Sequence, residues 1–205
     1  MRRASRSNTS RSNASRNKTI RNKRKTRRGG SKQYQFGNIT NLNEKFNGAN
    51  FFRKFGADST EHTIASILQK NPHPNIVKIY RVTDKYIDIE EVKPTILIRN
   101  YDKKEVVAAA NLAKTHLQSL GIMYIDWKPD NLGLGDDGKF KLYDFDASGI
   151  IDLDTNKWLK RPSMYWSYTQ ALANGLKDPK EIDDFAFDIN FIREDYEPLN
   201  TSEYK

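Results

Sequence analysis

The first 32 residues carry thirteen Lys or Arg side chains and no Asp or Glu, and after Met1 their only apolar side chains are Ala4, Ala14 and Ile20. Such a stretch cannot bury enough surface to offset the entropy lost on ordering. It is expected to be a disordered basic tail over residues 1–33, with Gly29-Gly30-Ser31 as the hinge. The body of the chain is therefore limited to about 170 residues, a length that favours one folded domain. The remaining 173 residues hold 22 basic and 26 acidic side chains, so the net charge of +9 is a basic tail on a weakly acidic body.

The tail has two readings. A run of like charge is a solvated arm, or it contacts nucleic acid, another polyanion or an acidic membrane surface through salt-sensitive phosphate contacts. No aromatic residues are interleaved to stack on bases, which argues against sequence-specific reading. An Arg- and Ser-rich, acid-free start also fits a mitochondrial transit segment. Three apolar side chains do not make an amphipathic face, however.

The chain has no cysteine, which excludes disulfides and Cys-ligated metal. No run approaches the roughly 18 apolar residues needed to span a bilayer, and no apolar stretch follows Met1 as in a secretory signal. These features predict no transmembrane segment and an intracellular location, cytoplasm or nucleus. Nothing in the sequence specifies an oligomeric state.

Beyond Tyr34 the hydrophobic pattern becomes that of a folded protein. Phe51–Phe55 reads as a short strand. Ser59 or Thr60 can cap a helix in which Ile64, Ile67 and Leu68 recur at helical spacing, with Pro72 and Pro74 ending it. Ile76–Tyr80 and Tyr86–Val92 read as strands joined near Asp84-Lys85. After Pro94, a helix is expected from Lys103 to Leu120, closed by Gly121. Leu132–Leu134 and Lys139–Tyr143 flank Gly135-Asp136-Asp137-Gly138, the chemistry of a tight hairpin. Ile182, Phe185, Ala186, Ile189 and Ile192 fit a last helix. Strands with one helix come first and mostly helices follow, which predicts an α+β protein of two unequal lobes, residues 34–93 and 94–200.

Asp126, Lys128, Asn131 and Asp144 carry the chemistry. Phosphoryl transfer needs a carboxylate to orient the attacking hydroxyl, a cation on the transferring phosphate, and a metal bridging the phosphates. Asp126 suits the first task and Lys128 the second. Asn131 and Asp144 supply the oxygen donors that Mg2+ prefers. The hairpin between them would bring the two donors back together. The bland alternative is a solvated loop followed by a strand-end Asp.

Ile125-Asp126-Trp127-Lys128-Pro129-Asp130-Asn131-Leu132 resembles the catalytic loop of Ser/Thr protein kinases, and Tyr143-Asp144-Phe145-Asp146 resembles that family's Asp-Phe-Gly. His73-Pro74-Asn75-Ile76-Val77 and His116-Leu117-Gln118-Ser119-Leu120-Gly121 are similar to two further stretches, in the family's order. The resemblance covers about residues 50–192. It implies a protein kinase-like two-lobed fold with a reduced first lobe and a truncated second. It also implies ATP and Mg2+ as cofactors, a protein substrate, and transfer to a Ser or Thr hydroxyl. By the same resemblance Lys54 is the nucleotide-binding lysine and Asp184 the structural acid of the central helix. Counting back from His73 puts the lysine's partner at Ile64, whereas the available carboxylate is Glu61, one turn earlier. The chain departs from the family in three places. Tyr124-Ile125 replaces His-Arg, Asp146 replaces the glycine after Asp-Phe, and no glycine-rich loop precedes the first strands. An inactive kinase-like binding module is therefore the alternative, with a small-molecule kinase of related fold behind it. Arg2-Arg3-Ala4-Ser5 also looks like a target site of basophilic kinases.

Two weaker patterns go no further. Asp152, Asp154 and Asn156 resemble the start of a calcium loop, but Lys157 and Ser163 stand where glycine and glutamate are required. His62, His73 and His116 have no ligand spacing. Trp127 is assigned a packing role.

Overall fold

The computed structural model describes residues 45–193. The expected basic tail lies outside them. The described fold mixes α and β, in keeping with the α+β expectation. The strands are β1 (Phe51–Phe55), β2 (Ile79–Val82), β3 (Tyr86–Glu90), β4 (Lys93–Pro94), β5 (Ile122–Met123), β6 (Leu132–Leu134), β7 (Phe140–Leu142), β8 (Gly149–Asp152) and β9 (Lys157–Lys160). The α-helices are α1 (Ser59–Lys70), α2 (Lys103–Ser119), α3 (Trp166–Ala173) and α4 (Pro179–Phe187). The strands form three antiparallel sheets, ordered β1-β3-β2, β4-β6-β7 and β5-β8-β9.

In the first sheet, alternation along β1 separates its two cations. Arg53 forms a two-pronged ion pair, 2.6 and 2.9 Å, with Asp88, its cross-strand partner. Lys54 turns to the other face. Helix α1 buries Ile64, Ala65 and Leu68. Its cap is Asp58 rather than Ser59 or Thr60, because Asp58 Oδ1 accepts from both Thr60 N–H and Glu61 N–H at 2.8 Å. Replacing Asp58 with Ala is expected to cost about 1 kcal/mol in urea unfolding.

Ile76, expected to open a strand, instead makes a parallel bridge to Leu142 of β7, and the strand begins at Ile79. Helix α2 packs Val106, Ala109, Ala110, Ala113 and Leu117 inward. The residue after Leu120 must take positive φ and closely approach the Ile151 carbonyl, which Gly121 allows at φ +73°. His73 behaves as a turn residue, its Nδ1 accepting from Asn75 N–H, and its ring stacks on His116.

The β8–β9 hairpin was not legible as strands. Its turn uses Asp152 Oδ1 to accept from Asp154 N–H, Thr155 N–H and the Thr155 hydroxyl. The last helix is also shorter than its periodicity suggested. α4 ends at Phe187 and continues as a π-type turn, Asp188–Ile192, leaving Ile192 exposed.

Candidate active site

Lys54 on β1 is the first half of the site. Its Nζ lies 2.6 Å from Glu61 Oε1 on α1 and 2.8 Å from Asp144 Oδ1, which follows β7. The Asp58 cap sets the first turn of α1 so that Glu61 faces the strand, while Ile64 is fully buried in the core. Glu61, not position 64, is therefore the lysine's partner. Burial alone would lower the Lys54 pKa, but the charges of Asp144 and Glu61 reverse this and hold it well above the usual lysine value. Burial pushes the Glu61 carboxyl upward and Lys54 opposes that. With two carboxylates on one ammonium, Lys54 is charged at neutral pH.

The second half is the loop after β5. Asp126 Oδ2 accepts from Lys128 Nζ at 2.6 Å and from Asn131 Nδ2 at 2.9 Å, and the same amide nitrogen donates to the Asp126 carbonyl at 2.9 Å. Burial raises the Asp126 pKa against the opposing effect of Lys128 and Asn131. The β6–β7 hairpin joins the two halves. Asn131 immediately precedes β6, Asp144 lies two residues past β7, and Tyr143 N–H closes the base on the Asn131 carbonyl at 3.0 Å. The fold thus brings together all six residues singled out from the sequence, as two linked clusters. Asp144 lies near enough for its charge to add to the rise in the Asp126 pKa.

Backbone strain marks the same place. Ile125 has φ +67°, and Asp126 N–H bonds back to the Tyr124 carbonyl at 2.8 Å, closing a three-residue turn around it. Asp144 has φ +63°. A β-branched residue at positive φ is a true outlier, and such strain persists where surroundings over-determine it. The surroundings here centre on Asp183 of α4, which is fully buried. Its Oδ1 accepts from Ile125 N–H at 3.0 Å and from the Trp127 indole N–H at 2.7 Å, and its Oδ2 accepts from Gln118 Nε2 at 2.9 Å. Burial raises its pKa despite these donors.

Asp183 is the functional residue that sequence reading missed. Asp184, named in its stead, is half-exposed and pairs with Lys114 at 2.6 Å. The signal was present, because counting back three and four from the apolar Ala186 and Phe187 reaches Asp183 on the same helix face. Trp127 does pack, against Tyr124 and Phe187, but its indole N–H makes it part of the loop's anchor as well. Asp146 is a second addition. Its Oδ2 accepts from the Tyr165 hydroxyl at 3.1 Å. Burial, and then Asp146, push the Tyr165 phenol up to about 12, while burial and Asp144 raise Asp146.

The donor set fits magnesium held jointly with phosphates. Asn131 spends its amide nitrogen on Asp126, so its amide oxygen is the atom that would face a metal, and Asp144 would add a carboxylate. Among the described residues no group of three or more His, Cys, Asp or Glu could hold a metal by itself. Magnesium commonly takes only one or two protein ligands beside substrate phosphates. No helix among the described residues is long and apolar enough to cross a membrane.

No protein-family model matches the chain. A stretch of 53 residues, 26% of the chain, is 43% identical to ribosomal protein S6 kinase alpha-3 of mouse and equally to that of human. The match spans 7% of the length of those relatives. The chain therefore has partial, kinase-like sequence similarity.

Proposed function

We propose that this chain transfers the γ-phosphoryl group of ATP, with magnesium, to a Ser or Thr hydroxyl of a protein substrate. The observation that carries this reading is the Lys54 ammonium held between Glu61 and Asp144, 7 and 90 residues away in sequence. A lysine so fixed is a phosphate-binding cation of set position. Asp126 accepts the proton of the attacking hydroxyl, and Lys128 beside it offers its cation to the transferring group. Asn131 and Asp144 would hold Mg2+, which neutralises charge on the phosphates. In this reading residues 34–93 form a small first lobe and 94–200 a second, within an intracellular protein. The basic residues 1–32 contact nucleic acid or another polyanion.

The test is transfer of labelled γ-phosphate to the chain itself and to a generic basic protein, comparing wild type with Asp126→Asn and Asp144→Asn. Equal background in all three overturns the reading. A MgATP-induced rise in Tm in a wild-type protein that transfers nothing would instead favour a nucleotide-binding module. Deleting residues 1–32 is expected to weaken polyanion binding and flatten its salt dependence, read by titration at two ionic strengths.

A further inference from the structure

Glu61 and Lys54 lie on α1 and β1, whereas Asp126 and Asp144 follow β5 and β7. The position of α1 therefore decides whether Glu61 reaches the Lys54–Asp144 pair. One long-range contact grips the first turn of α1 on both sides of Glu61. Lys160 Nζ, on β9, donates to the Ser59 carbonyl at 3.1 Å and to Thr63 Oγ1 at 3.2 Å. Thr63 Oγ1 in turn donates to the Ser59 carbonyl at 2.7 Å, so one ammonium and one hydroxyl close a small ring over the helix face. Ser59 and Thr63 are four residues apart and share that face.

The other end of this contact is anchored in the sheet that leads into the catalytic loop. Lys160 pairs with Ile150 of β8, and Ile150 with Ile122 of β5, four residues before Asp126. Close packing holds β9 there. A side chain on Gly149 would sit 2.5 Å from the Trp158 ring and 2.9 Å from the Lys160 carbonyl.

We propose that Lys160 is a positioning residue for the reaction proposed above: it holds α1, and through α1 the Glu61–Lys54 pair, against the sheet that leads into the Asp126 loop. The site is thereby assembled by the chain's own side chains. Lys160 makes no hydrogen bond or ion pair to any of the six site residues and acts through the helix.

The experiment uses the full chain. Lys160→Ala is expected to speed amide exchange over residues 59–63 by about threefold to tenfold, as loss of one solvent-accessible hydrogen bond of ordinary net strength would. It should raise the KM for MgATP by a similar factor while kcat changes less. Lys160→Arg, which keeps a donor cation, should restore both, and Lys157→Ala on the same strand should alter neither. If Lys160→Ala does not fold, Lys160→Gln serves in its place. Wild-type exchange over 59–63 in the Ala variant, or an Arg variant no better than Ala, overturns the proposal. Should the wild type transfer no phosphate, the exchange measurement still decides whether Lys160 holds α1. Should the tether fail while Asp126→Asn abolishes transfer, the proposed activity stands without it.

Discussion

Asp126→Asn is expected to slow phosphoryl transfer by about 10²–10⁴-fold, the usual contribution of a positioned acid or base, with little change in stability. The amide keeps the size of the carboxylate and one oxygen to accept from Asn131 Nδ2. Lys128 donates to that same oxygen, so it loses only the charge of its ion-pair partner, and its side chain is 27% exposed to water. What disappears is the ability to accept a proton from the attacking hydroxyl. The wild-type rate should also carry the signature of this group. Burial raises the Asp126 pKa, and only the ionised form accepts a proton. Activity should therefore fall as pH drops through a value raised from that of an ordinary Asp, and that limb should be missing from the variant's residual rate. Initial rates against pH, beside urea unfolding curves for both proteins, check the expectation. A variant as fast as wild type would remove Asp126 from the chemistry.

Asp183→Ala is expected to give the largest loss of stability, more than about 3 kcal/mol, because each buried donor left without an acceptor costs about 1–3 kcal/mol. Three donors converge on this carboxylate: the fully buried Ile125 N–H and Trp127 indole N–H, and the half-buried Gln118 Nε2, which keeps Asp184 Oδ1 at 3.0 Å as a second acceptor. Asp183→Asn should cost less. It retains one oxygen for Ile125 and Trp127 and disturbs chiefly the Gln118 contact. The order wild type, Asn, Ala in urea midpoint is the readout, and an Ala variant as stable as wild type would show that the carboxylate anchors nothing. Transfer should fall along the same series, since Ile125 loses the acceptor that holds it at positive φ next to Asp126.

These two residues also mark the limit of what the linear chain discloses. Asp126, Lys128, Asn131 and Asp144 were legible because their spacing is local and the Asp137-Gly138 turn dictates the hairpin between Asn131 and Asp144. The helices α1 and α2 were legible because an apolar face repeats every three to four residues. The β8–β9 hairpin escaped notice because Gly149-Ile150-Ile151 and Lys157–Lys160 show no shared alternation. Their pairing depends on Gly149 letting Trp158 approach. Asp183 escaped because a charged residue within a helix reads as solvent-facing unless its neighbours on the same face are counted.

The sequence by itself determined a basic, acid-free tail, an α+β body, and a loop–hairpin unit carrying Asp126, Lys128, Asn131 and Asp144. It left Glu61 and the site of Ile64 as competing partners for Lys54. Only the tertiary structure decided between them, because the choice depends on where the Asp58 cap starts α1 and on how Lys160 holds that helix. Likewise it chose Asp183 over Asp184, a choice of helix face made by burial. Local spacing is written in the order of residues, whereas partners 7, 58 or 101 residues apart are selected by packing.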